Sequence, residues 1–259
     1  MRGSIYMVVR SGAEKNGVDR LVGKLAAVGG AEGQIPPEIP TDVAIGYVDE
    51  YFARRENGRP KYSGSHFETF GGGGLSRPNE FSAEDLLATS LLSKPVSGQA
   101  AVGILGPAAE ELSGCLSELP TDRSFEDLTE EEFARLLDDS NSPAQRAWDL
   151  LRQHEDPWWI GPTAASKLLA RKRPQLIPVY DSFVKAQAGL SGSGKQWTLW
   201  REAFQHDGFV RTLREIRDAS AGRQLSLLRV LDVVLWMHHA RGLNIEGDAD
   251  VADEMAAAE

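Results

Sequence analysis

Residues 158–184, WWIGPTAASKLLARKRPQLIPVYDSFV, constrain the fold more than any other stretch, because the chain must there start a helix, stop it, run extended and start another. Gly161 allows a close backbone approach or a positive φ, and Pro162 suits the first helical position, where its missing N–H costs nothing. The helix-favouring run from Thr163 ends at Arg171, Lys172 and Arg173, whose charges suit the negative end of the helix dipole, and Pro174 stops it. Pro178 keeps residues 175–180 extended by removing a donor and biasing Ile177 away from helix. Asp181 then stands where the next helix takes its N-cap.

The rest of the chain reads mainly as helix, with few or no strand signals. Helices are expected near residues 18–28, 41–56, 82–93, 129–139, 142–151, 196–205, 209–219 and 224–240. Ser82 with Asp85 and Thr129 with Glu132 have the spacing of capping boxes, and Ser142 precedes a helix-opening Pro143. Val43, Tyr47, Val48, Tyr51 and Phe52 recur at helical spacing and are core candidates. Residues 5–9 read as a short strand. Four glycines at 71–74 exclude a regular helix interior or strand and suggest a mobile loop, without the strand-turn-helix context of a nucleotide fingerprint. The organisation expected is a leading segment (residues 1–40), a two-lobed helical bundle (41–241) and an acidic, disordered tail (242–259).

Composition narrows the chemistry. Cys115 is the sole cysteine, which excludes intramolecular disulfides, thiolate zinc sites and four-cysteine iron–sulfur clusters. The adjacent His238 and His239 point to different faces of a helix and suit packing better than a metal, so no metal or cofactor is expected. No apolar run has the length of a membrane span and the start MRGSIYMVVRSG lacks a secretion signal, so a cytoplasmic protein without a membrane partner is expected.

The motif around Asp181 resembles the helix-hairpin-helix base-excision DNA glycosylases, in which a hairpin ending in Gly leads through a helix to a catalytic Asp. The matching residues are Ile160, Gly161, Ala165, Asp181, Ser182 and Val184. Two positions depart from the pattern: Trp159 stands where the family usually has the first hairpin glycine, and Thr163 where bifunctional members carry a Schiff-base lysine. The resemblance implies a helix-hairpin-helix element and a monofunctional enzyme that flips a modified base out of double-stranded DNA, hydrolyses its N-glycosidic bond and leaves an abasic site. It also extends to prokaryotic antiviral branches that attack modified phage DNA. Asp181 is the implied catalytic carboxylate; Trp159, Ile160, Gly161, Thr163, Lys167, Arg171 and Lys172 are the implied DNA-binding residues. Trp158, Tyr180 and His66 are candidates for the base pocket or a wedge.

Charge distribution adds to this reading. The chain carries a net charge of −10, yet residues 161–230 hold twelve Lys or Arg against five Asp or Glu, a local +7. A basic face on an otherwise acidic monomer can orient on phosphate. The rival readings are a non-catalytic DNA-binding protein on the same scaffold and a nucleoside-processing hydrolase.

Overall fold

A computed structural model describes residues 12–28, 37–153 and 160–243. It is mainly helical: α1 (Gly12–Leu25), α2 (Thr41–Tyr51), α3 (Ala83–Ser90), α4 (Gly98–Leu105), α5 (Ala109–Glu118), α6 (Glu130–Phe133), α7 (Pro143–Leu151), α8 (Pro162–Lys172), α9 (Ser182–Ala188), α10 (Gln196–Phe204), α11 (Asp207–Ala219) and α12 (Leu227–Gly242). No strand occurs among the described residues, where Arg54 and Pro60 form an isolated antiparallel bridge. None of the described helices is long and apolar enough to cross a membrane.

Local sequence explains most helix starts. Ser82 accepts from the Asp85 N–H while Asp85 accepts from the Ser82 N–H, and Thr129 and Glu132 repeat this reciprocal capping. Ser142 caps α7 with Pro143 in its first turn. Two expectations are corrected. α2 ends at Tyr51 rather than near residue 56, because Gly58 takes φ +77° in a turn held by the Arg55 N–H to Arg59 O bond of 2.8 Å. α4 and α5 have no counterpart among the expected helices, since Gly98, Gly103, Gly106, Pro107 and Gly114 mask their apolar spacing.

The helices pack in two groups. α2, α9 and α11 pack on α12, with α1 and α10 joined to them through α9, α11 and each other, and α3–α8 form the other group. α12 is buried all round from Leu227 to Leu235, as a helix at the centre of a bundle must be. α11 is one-sided instead, burying Phe209, Val210, Leu213 and Ile216 at helical spacing. The two groups share one continuous apolar core. The link from α8 to α9 crosses between them and carries Asp181.

Residues 154–159, where the hairpin is expected, lie outside the described residues together with Trp158 and Trp159. The strand-like residues 5–9, residues 29–36 of the leading segment and residues 244–259 of the tail lie outside them as well.

Candidate functional site

Asp181 follows residues 177–180, which belong to no helix or strand; residues 174–176, partly expected to be extended, form a turn instead, in which the Leu176 and Ile177 N–H groups both donate to Arg173 O at 2.9 Å. Side chains satisfy that backbone: the Tyr180 N–H donates to Ser166 Oγ at 3.0 Å, and Gln196 Nε2 donates to Val179 O at 2.7 Å. The run ends with Asp181 at the N-cap of α9, where its Oδ1 accepts from the Val184 N–H at 2.9 Å. Its Oδ2 lies 4.0 Å from Lys167 Nζ, and Lys167 also donates to Leu92 O at 2.6 Å. Both residues are buried. Burial lowers the pKa of the Lys167 ammonium, against the opposing pull of Asp181 and Asp232.

A second carboxylate stands nearby on α12. Arg229 and Asp232 form a buried ion pair one helical turn apart, and Arg229 also donates to Glu68 Oε1 at 2.6 Å, Gly64 O at 3.0 Å and the Tyr51 hydroxyl at 3.2 Å. Burial raises the pKa of Asp232 to about 6, with Asp181 adding to the rise and Arg229 opposing it. Asp232 Oδ1 has no hydrogen-bond partner among the described residues.

Asp181, Arg229 and Asp232 line one small cavity with Tyr51, Tyr62 and Trp236. Tyr51 and Tyr62 stack at 5.5 Å with an 8° interplanar angle, and Trp236 meets both rings edge-on at 5.8 and 5.6 Å. The cavity measures about 20 Å³, room for one water beside polar groups able to bind it. Larger hollows lie elsewhere: one of about 300 Å³ beneath Gly72, Gly73 and Gly74, and one of about 520 Å³ beside Cys115 and Arg146. Neither brings two carboxylates and a cation together with stacked rings.

The basic cluster that the sequence assigned to phosphate is internal, which corrects that expectation. Lys167, Arg171 and Lys172 are 0%, 3% and 1% exposed, so none faces an outside ligand. Arg171 Nε donates to Asp85 Oδ1 at 3.1 Å, and its guanidinium also takes Phe67 O and Phe70 O. Lys172 pairs with Asp85 and donates to Gly74 O at 3.1 Å and Arg77 O at 3.0 Å. Arg173 binds Leu119 O, Pro78 O and Asn79 Oδ1 at 2.9, 2.6 and 2.7 Å. A buried cation needs partners, and here the carbonyls of residues 67–78 supply them. The glycine run is buried only at its end: Gly74 is packed in, while Gly71 and Gly72 are exposed. A Cβ on Gly74 would overlap the Arg171 carbonyl, while Gly71, Gly72 and Gly73 take positive φ.

The remaining sequence candidates fall in several places. Ile160 is buried and its N–H donates to Leu151 O at 3.0 Å, so it packs rather than faces a ligand. Gly161 has φ −69° and open space around its Cα, so it needs neither the positive φ nor the close approach expected of it. Thr163 is half-buried in the first turn of α8. Tyr180 is buried and His66 is half-buried in a 3₁₀ turn; neither lines this cavity. His238 and His239 diverge as expected, toward Glu38 at 3.1 Å and Gln187 at 2.9 Å.

The candidate site spans residues 51–236, and one family pattern matches residues 44–239. The chain belongs to DUF6308, a family of unknown function. The matched span of this DUF6308 chain contains Tyr51, Tyr62, Asp181, Arg229, Asp232 and Trp236, so both carboxylates and all three rings lie inside it. No curated protein and no solved structure matches the chain. Arg229 and Asp232 are not among the sequence candidates, although two charges inside LLRVLDVVLW are a usable signal: in a helix apolar on every side, charges must pair.

Proposed function

We propose that this DUF6308 protein is a monofunctional DNA glycosylase in which the Asp181 carboxylate serves hydrolysis of an N-glycosidic bond. The observation that carries the reading is the placement of Asp181, held at a helix N-cap in the wall of a cavity it shares with Asp232 and three aromatic rings. In the proposed reaction the bond between the sugar C1′ and the base nitrogen breaks, and its electron pair leaves with the base. Water adds at C1′ as a proton passes to Asp181, whose charge also stabilises the oxocarbenium-like sugar. Tyr51, Tyr62 and Trp236 offer ring faces and edges to a flat base. Thr163 cannot form an imine, so the product is an abasic site in an uncut strand.

A cavity of about 20 Å³ admits water but no base, so substrate entry requires the wall to part. Ser93, which lines it, is the one described non-glycine residue with a positive φ, +58°, and marks the turn where the wall is under backbone strain.

One observation favours a second reading, hydrolysis of free nucleosides: the cations of α8 are internal and offer no phosphate track. The deciding experiment is a screen of normal, damaged and phage-modified duplexes for alkali-labile sites, run beside free nucleosides with both wild type and Asp181→Asn. Base release from DNA that disappears in the variant supports the glycosylase. Release from nucleosides alone supports the second reading, and no release from any substrate removes both.

A further inference from the structure

With the α8 cations internal, a surface for a polyanion must come from elsewhere, and the short turn between α2 and Tyr62 has the charge for it. Residues 53–61 form a closed hairpin: the Lys61 N–H donates to Ala53 O at 2.9 Å, Arg54 bridges to Pro60, and the Arg59 N–H donates to Asn57 Oδ1 at 3.0 Å. Arg54, Arg55 and Arg59 are exposed on it, beside the single acid Glu56. Arg54 and Arg55 use one nitrogen each on a carbonyl of the turn, Gly58 O at 2.9 Å and Lys61 O at 3.5 Å. None of the three takes part in an ion pair among the described residues. Other exposed arginines, among them Arg20, Arg77, Arg211, Arg214 and Arg223, are likewise outside the ion pairs of the described residues, but only the turn 53–61 gathers three within six positions.

The position of this turn matters as much as its charge. Its two ends are Tyr51 and Tyr62, whose stacked rings wall the Asp181 cavity. Arg54 is three residues from one ring and Arg59 three from the other, so neither Cα is more than about 11 Å from a ring-bearing Cα even in a fully extended chain. Three exposed guanidiniums on a closed turn whose ends carry two residues of the cavity wall suit phosphates, which they contact without reading bases.

The geometry points to the turn 53–61 as the surface that holds the phosphate backbone of duplex DNA beside the Asp181 cavity. This rests on the glycosylase reading above and supplies the backbone anchorage that α8 does not.

The test is fluorescence anisotropy of the full chain with a short unmodified duplex across a potassium chloride series. The variants are R54Q/R55Q/R59Q, its lysine counterpart R54K/R55K/R59K, and R59E alone. The glutamine triple should weaken binding about tenfold or more at low salt. It should also flatten the plot of log affinity against log salt by about 2.7, since each neutralised phosphate contributes roughly 0.9 to the slope. The lysine triple should keep most of the slope, and Arg59→Glu should move both readouts the same way even if the triple variant folds poorly. Wild-type binding with an unchanged slope in the glutamine triple and in Arg59→Glu overturns the assignment to this turn and leaves the glycosylase reading standing. No salt-dependent binding by the wild type overturns both.

Discussion

Lys167 Nζ lies 4.0 Å from Asp181 Oδ2, with both side chains buried where α8 passes the start of α9. A lysine that sequence placed on the DNA therefore faces the candidate catalytic carboxylate. Truncating it to Ala removes the cation beside Asp181 and the donor to Leu92 O and leaves a void, which should cost about 3–5 kcal/mol. Lys167→Met keeps most of the volume and should cost less. Urea unfolding of the two variants checks this, and midpoints equal to wild type would mean that Lys167 contributes nothing to the packed interior.

Asp181 combines a cap with the proposed chemistry, and two substitutions separate the roles. Asp181→Asn retains an oxygen for the Val184 N–H and should change stability little while abolishing base release. Asp181→Ala loses the cap as well and should be less stable by about 1 kcal/mol. Turnover by the Asn variant near the wild-type rate would remove the carboxylate from the mechanism.

Asp232 sets a specific pH dependence. Its folded pKa, about 6, exceeds the ordinary 3.8, so the folded protein holds an extra proton between these values. Its stabilising contribution is complete below about pH 3.8 and is lost as pH rises through about 6. Arg229, Lys167, Asp181, Glu68 and Tyr51 surround the pair and remain in place in an Asn variant. The stability of Asp232→Asn relative to wild type should therefore rise by about 3 kcal/mol between pH 4 and 7, from about 1.4 kcal/mol per pKa unit. Thermal melts of both proteins across that range measure the difference, and parallel curves would refute the raised pKa.

Replacing Arg171 and Lys172 together with Gln leaves Asp85 buried without either cation and frees the carbonyls of Phe67, Phe70, Gly74 and Arg77. The expected outcome is a loss of about 3–5 kcal/mol of stability, read by chemical denaturation, with no specific change in the salt dependence of DNA binding. A stable double variant with a flattened salt slope would restore these residues to the phosphate surface.

The glycine run offers a contrast between space and conformation. Gly74→Ala drives a methyl into the Arg171 carbonyl and should cost about 3 kcal/mol. Gly72 has φ +86° but open surroundings, so Gly72→Ala should cost only about 1–2 kcal/mol. The order of the two melting temperatures is the check.

What the sequence determined by itself is local. Ser82, Thr129 and Ser142 start their helices because a capping oxygen needs only an N–H two or three residues on, and Asp181 caps α9 for the same reason. The mainly helical class follows from apolar spacing, which most of the helices carry in their own residues. The direction of a charged side chain is not legible in that way. Arg171 and Lys172 have the pattern of a basic helix end, yet they turn inward because Asp85 and carbonyls of residues 67–77, roughly a hundred positions earlier, come to rest against them. Tyr51, Tyr62, Asp181 and Asp232 likewise share one cavity only because α2, α9 and α12 pack together. Caps and periodicity are read from neighbours in the chain, whereas the pairing of buried charges depends on contacts between distant segments, and those exist only in the folded protein.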